Sequence, residues 1–198
     1  MSKHDLVMGI DLAGVSHRPT GICFLKDLRA ETLVLFDDTD ISDCAEKHRP
    51  RLITIDAPLS LPPGRSSIQD RKGSHFRSCD LELRRRKIPF FPITLGPMRK
   101  LTERGIKLQQ SLQKRGIKAL EVYPGGAQDI LGLPRVKHDL SGLRQGLRRL
   151  GIMGLGRGVS GHQLDAATAA YVGYLYLSGK AEIYGRSSSG AIVMPLSR

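Results

Sequence analysis

Two stretches of the chain share one build. Leu6-Val-Met-Gly-Ile-Asp11-Leu-Ala-Gly14 and Arg51-Leu-Ile-Thr-Ile-Asp56-Ala-Pro58 are each an apolar run of strand length that closes on one aspartate. Such runs fit central strands of an α/β sheet. In those sheets ligands bind in the crevice beyond the carboxyl ends of the strands. Asp11 and Asp56 are thereby expected at a binding edge. A third acid, Asp165, opens a helix rich in small residues near the end of the chain. The three are expected to meet around metal ions.

The rest of the chain fixes how the two strands are related. Strand-like runs at 6–11, 21–26 and 32–36 are joined by short, turn-like links, which predicts an antiparallel meander. A short helix at 40–48, stopped by Pro50, separates the third run from the fourth at 52–56. A helix between strands permits a crossover, so the fourth strand can lie parallel to and beside the first. Neighbouring strands lie about 4.8 Å apart. Two carboxylates that close repel unless one is protonated or a cation sits between them. Mg²⁺ suits such an oxygen ligand set.

Residues 58–97 are Pro-rich and irregular, and are expected to be an insertion over the strand ends. Within it 78–87 reads as helical, with Ser78 as a possible cap. It carries Arg84, Arg85, Arg86 and Lys87. An amphipathic helix follows at 98–115 and ends at Gly116. A fifth strand at 118–123 contains Glu121, which faces either solvent or a site. Segments 127–131 and 140–150 read as helices, and the glycine-rich 151–161 as a mobile loop. His162 and Asp165 share a face in the first turn of the last long helix, capped by Ser160 or Gly161. An acid there also suits the helix dipole, which is the plainer reading of Asp165. The final runs at 181–184 and 191–194 can pair as an edge hairpin. One domain over 1–198 with the insertion accounts for the whole pattern better than two.

The charge is uneven. The net is +12, and residues 65–118 alone hold fifteen basic and four acidic residues, a net of +11. A basic patch attracts polyphosphate backbones, so nucleic acid is an expected partner and the Arg84–Lys87 cluster an expected contact. A solvated basic face is the alternative. Three scattered cysteines fit no metal spacing and suggest a reduced, cytoplasmic protein. The opening Met-Ser-Lys-His-Asp5 lacks the apolar run of a signal peptide, and no stretch reaches the roughly 18 apolar residues of a membrane span.

Asp11, Asp56 and Asp165 come from two strands and a distant helix, as a carboxylate cage for phosphodiester cleavage requires. His162 can position water, shuttle a proton, or simply cap and pack. A meander with an acid on its first strand, another on its fourth and a third opening the terminal helix resembles the ribonuclease H-like fold. His162-Gln-Leu-Asp165-Ala-Ala is similar to the His-x-x-Asp-Ala phrase of the Holliday-junction resolvase branch. Gly9-Ile-Asp11-Leu-Ala-Gly14, Ile55-Asp56-Ala-Pro-Leu-Ser-Leu-Pro62, Cys79-Asp80-x-x-Leu83-Arg84, Glu121-Val-Tyr-Pro124 and His162-x-x-Asp165-Ala together resemble an uncharacterised family of predicted ribonuclease H-like nucleases. The resemblance implies an α/β fold with a mixed five-stranded sheet: strands one to three as a meander, then parallel strands four and five, flanked by helices. It implies Mg²⁺ or Mn²⁺ held by Asp11, Asp56 and Asp165, with Glu121 as the further acid.

Two other classes stay open. One is a basic nucleic-acid-binding protein without catalysis, although the chain has no Trp and only five Phe and five Tyr for stacking. The other is an actin-like nucleotide-binding or phosphotransfer protein, whose phosphate-binding strand also reads Gly-Ile-Asp-Leu-x-Gly. The chain has room for only one of the two domains that such proteins close on ATP.

Overall fold

The apolar runs form strands as their alternation requires. The computed structural model describes residues 5–197. Met1–His4, part of the opening read for a signal peptide, and Arg198 lie outside them. Strands β1 (Val7–Asp11), β2 (Thr20–Lys26) and β3 (Arg29–Leu35) form the antiparallel meander. Helix α1 (Asp38–His48) carries the chain back, so that β4 (Leu52–Asp56) lies parallel to β1 with Asp11 directly beside Asp56. Strand β5 (Ala119–Glu121) adds in parallel beside β4, and the order is β3-β2-β1-β4-β5.

Period-two alternation sorts the strand residues between two layers. Met8, Ile10, Ile22, Ile53 and Ile55 pack with Leu108 and Leu112 of helix α3 (Gly96–Lys114) and with Ile41 of α1. Val7, Cys23 and Leu25 face the other way, against helices α5 (Leu140–Arg149) and α6 (Gly161–Leu177). Asp11 and Asp56 follow the parity of Gly9 and Thr54, so they look toward α6. Thr54 confirms the direction, since its buried hydroxyl donates to the Ala169 carbonyl at 2.8 Å.

Helix α6 lies almost on the backbone of the sheet. A Cβ at Gly9 would stand 2.1 Å from the Ala166 oxygen, and one at Gly21 would stand 2.1 Å from the His162 oxygen. Alanines at 166, 169 and 170 complete the close approach. Gly9→Ala is therefore expected to lower stability by about 3 kcal/mol or more, because a packed backbone must move. Urea unfolding of the variant checks this; a loss under about 1 kcal/mol would contradict the packing.

Several boundaries differ from those expected, each for a local reason. β3 starts earlier because Asp27 and Leu28 both take left-handed backbone (φ 49° and 60°), giving a two-residue turn of the hairpin type. β5 is short because Pro124 begins helix α4 (Pro124–Ile130) in its first turn. In helix α2 (Ser78–Arg85) the cap is Arg77, not Ser78: the Asp80 carboxylate accepts from the Arg77 backbone N–H at 2.9 Å. The Ser78 hydroxyl instead donates to the Gly190 carbonyl at 2.8 Å. Within residues 151–161, expected to be mobile, the stretch 152–155 is held beside the start of β3. Ile152 and Leu155 are buried, and Met153 exchanges backbone hydrogen bonds with Leu28 and Ala30 at 2.8 and 2.9 Å. Strands β6 (Ala181–Arg186) and β7 (Gly190–Pro195) do pair, but as a separate two-stranded sheet rather than an edge of the main one. Among the described residues no helix is long and apolar enough to cross a membrane.

Candidate active site

The strand register delivers Asp11 and Asp56 side by side at the carboxyl edge, both half-buried. The start of α6 brings the third acid. Ser160 caps the helix, and its capping partner Gln163 also donates to Thr32 of β3 at 3.0 Å. That tie fixes the first turn over the strand ends. His162 then meets Asp11, Nδ1 to Oδ2 at 2.7 Å, with the ring 53% exposed and Asp11 16% exposed. Asp165 lies one turn further in, where Gln128 of α4 donates to its Oδ1 at 2.7 Å.

The loop that follows Asp11 is held from two sides. The Ala13 N–H donates to Thr20 Oγ1 at 3.2 Å, and buried Arg104 of α3 donates to the Ala13 carbonyl at 2.7 Å. Arg104 also bonds Asp38 and the Phe36 carbonyl. One guanidinium thus locks the loops at this edge together.

The electrostatics show crowding of like charge. Burial, then the charges of Asp11, Asp165 and Glu121, push the Asp56 carboxyl well above the usual range. Burial and the Asp11 charge push Asp165 up to about 7, against the Gln128 hydrogen bond and the charges of His162 and Arg135. The Asp11 hydrogen bond holds His162 above its ordinary value. Among the described residues no group of three or more His, Cys, Asp or Glu side chains is placed closely enough to hold a metal ion as it stands. The donor chemistry nonetheless fits a hard cation: three carboxylates on one face, two of them protonated more readily because of burial and the neighbouring Asp11 charge.

Glu121 does not join them. Its register partner on β4 is Ile55, so it points to the face opposite Asp56. There Arg77 donates to both of its oxygens, at 2.7 and 2.8 Å, and the Leu59 N–H adds a third bond at 2.7 Å. Arg77 is only 2% exposed and also grips Asp80 through Nε and Nη2. The basic cluster is likewise partly committed. Arg85 and Arg86 pair with Glu82, Arg86 also pairs with Glu182, and Arg84 lies over the Phe76 ring.

A family model described as "Protein of unknown function (DUF429)" matches residues 9–188. The chain belongs to the DUF429 family. No curated protein matches it by sequence. Among solved structures, Thermus thermophilus RuvC in complex with a Holliday junction substrate aligns at a TM-score of 0.51 and 13% identity, over 95% of this chain and 99% of that one. A structure of Thermus thermophilus RuvC alone aligns at 0.50 and 13%, over 96% and 99%. The DUF429 chain therefore has the RuvC-like, ribonuclease H-like fold: a mixed five-stranded sheet flanked by helices.

Three residues at the DUF429 site had no sequence signal strong enough to single them out. Gln128 lies in a seven-residue helix with no amphipathic repeat to read. Arg77 was one basic residue among many, although its spacing to Asp80 is that of a cap and its third helical residue. Arg135 acts on Asp165 and reaches the Tyr123 hydroxyl at 3.1 Å from a loop.

The raised acid sets a pH dependence. Asp165 holds its proton to about 7 in the folded chain, against roughly 3.9 when unfolded. Between those values the native state binds the extra proton, so stability falls as pH rises from about 4 to 7 and levels off above. The contribution is up to ~4 kcal/mol. Urea midpoints of the metal-free protein at pH 5 and 8 measure it, and Asp165→Asn is expected to flatten the difference.

Proposed function

We propose that the chain is a Mg²⁺- or Mn²⁺-dependent nuclease, one domain over 1–198, that hydrolyses phosphodiester bonds of nucleic acid. The observation that carries this is the placement of Asp11, Asp56 and Asp165 on one face of one sheet edge, with Asp56 and Asp165 both pushed up by burial and by the charge of Asp11. Asp11, Asp56 and Asp165 would hold the cation. A divalent ion there supplies an activated water and charge stabilisation at the leaving oxygen. His162 is the proton-handling group: a carboxylate oxygen accepts from its Nδ1–H, so the neutral ring keeps Nε2 as an acceptor for a proton from water. Gln128 orients Asp165, and Arg77 fixes Glu121 as an anchor between the insertion and β5 rather than a ligand. Arg84, Arg85 and Lys87, exposed within the insertion, supply backbone contacts. A cytoplasmic setting goes with three free cysteines.

Cleavage of a panel of linear and branched DNA and RNA tests the reading. His162→Ala is expected to lower the cleavage rate roughly 10²–10⁴-fold, the usual worth of a positioned acid or base. Cleavage by wild type that persists in excess chelator would overturn the proposal. Tight binding of the whole panel with no cleavage under any cation would leave a basic binding protein instead.

A further inference from the structure

Beside Asp56, the insertion, the start of α3 and the sheet line an open cavity of about 200 Å³. Its rim is made of ring and thioether faces: Phe90, Phe91, Met98 and Tyr123. Phe91 is 69% exposed, an unusual position for a large apolar ring in a chain with five Phe. Phe90 is held edge-on by Phe76 at 6.2 Å, and Phe76 in turn lies under Arg84 at 5.1 Å. The polar groups at the floor are already satisfied. The Arg77 guanidinium donates to Asp80, Glu121 and Ser60. The cavity therefore offers flat apolar surface rather than a pattern of free donors and acceptors.

Size narrows the occupant. A cavity of about 150 Å³ takes benzene, whereas pockets for whole ligands start near 300 Å³. A space of 200 Å³ open at a rim of aromatic rings suits one planar heterocycle. Asp56 lines both this cavity and the acidic edge, and the flanking segment carries most of the chain's net positive charge. A ring entering here thus has its attached phosphates between basic side chains and the carboxylates.

We propose that this cavity receives a single unpaired nucleobase of the strand whose phosphodiester lies at Asp11, Asp56 and Asp165. The inference rests on the nuclease reading of that edge. It makes the substrate a strand with at least one base free of the stack. Because the floor is satisfied, recognition is by stacking and shape, and is tolerant of base identity.

The test uses the full chain with Ca²⁺ in place of Mg²⁺, and oligonucleotides carrying 2-aminopurine at one position at a time. At one position the emission is expected to change several-fold on binding. An abasic nucleotide there is expected to weaken binding about 5- to 100-fold, the worth of one base stacked on an aromatic side chain. Phe91→Ala, at an exposed ring whose removal leaves the core intact, removes both effects, and the abasic strand then binds it no worse than the intact one. Met98→Trp, which fills the cavity from the rim, gives the same result by a different route. Emission unchanged at every position, or an abasic strand bound as tightly as the intact one by wild type, overturns the pocket. Cleavage of the same strands with Mg²⁺ or Mn²⁺ reads the carboxylates separately. Cleavage without any base signal sinks the pocket and leaves the nuclease, whereas a base signal without cleavage sinks the nuclease and leaves the pocket.

Discussion

Asp56→Asn is expected to stabilise the metal-free protein and to abolish its cleavage of nucleic acid. The two effects have one cause. At pH 8 the wild-type edge carries Asp56 and Asp165 above the ordinary carboxylate range, so ionising them there costs stability. Removing one charge relieves its neighbours, with an expected gain of ~1–3 kcal/mol. Under the proposed nuclease reading, the same charge is needed to hold the cation. Loss of metal-assisted stabilisation worth several kcal/mol lowers the rate by about 10³-fold or more. Thermal melts in chelator and initial cleavage rates in Mn²⁺ check the pair. A variant that is both less stable and fully active would mean that Asp56 is an ordinary structural residue.

Arg77→Met is expected to be among the most destabilising single changes in the chain. Arg77, Asp80 and Glu121 are 2%, 2% and 5% exposed at their side chains. Taking away the cation they share leaves two carboxylates buried without a counter-charge, at a cost of about 3–5 kcal/mol. For a chain of this length that is a fall in Tm of roughly 6–20 °C. Adding Glu121→Gln to Arg77→Met is expected to recover part of the loss, since one uncompensated charge goes. Glu121→Gln alone is expected to change cation affinity by well under tenfold, because the side chain follows Ile55 rather than Asp56 in the register and acts on Asp56 through its charge alone. A tenfold loss of affinity in that variant would return Glu121 to the ligand set. A Tm within 2 °C of wild type for Arg77→Met would show the triad to be solvated.

The parts of this arrangement that were legible in the sequence are those that follow from local pattern. Val7–Asp11 and Leu52–Asp56 are apolar runs with one acid at the end, and a crossover between them forces the acids together. The phrase His162-x-x-Asp165 was legible because helical spacing puts both on one face. Glu121 shows where local pattern stops. Whether an acid in a three-residue strand faces the site depends on register with β4, and one residue decides the face. The Arg84–Lys87 run shows another limit. Composition displays four charges, but not that Glu82 and Glu182 neutralise part of them across the β6–β7 hairpin. The cavity beside Asp56 was hidden for the same reason, since its walls come from four separated segments.

The central claim is that Asp11, Asp56 and Asp165 form a cation site. Calorimetric titration of Mn²⁺ into wild type and Asp11→Asn at pH 6.5, in two buffers of different ionisation enthalpy, tests it most directly. The expected result is binding to wild type with release of protons, because Asp165, pushed up to about 7, must give its proton up to the ion, and at least tenfold weaker binding to the variant. Absence of binding to wild type, even with nucleic acid present, or equal binding to both proteins, would contradict it.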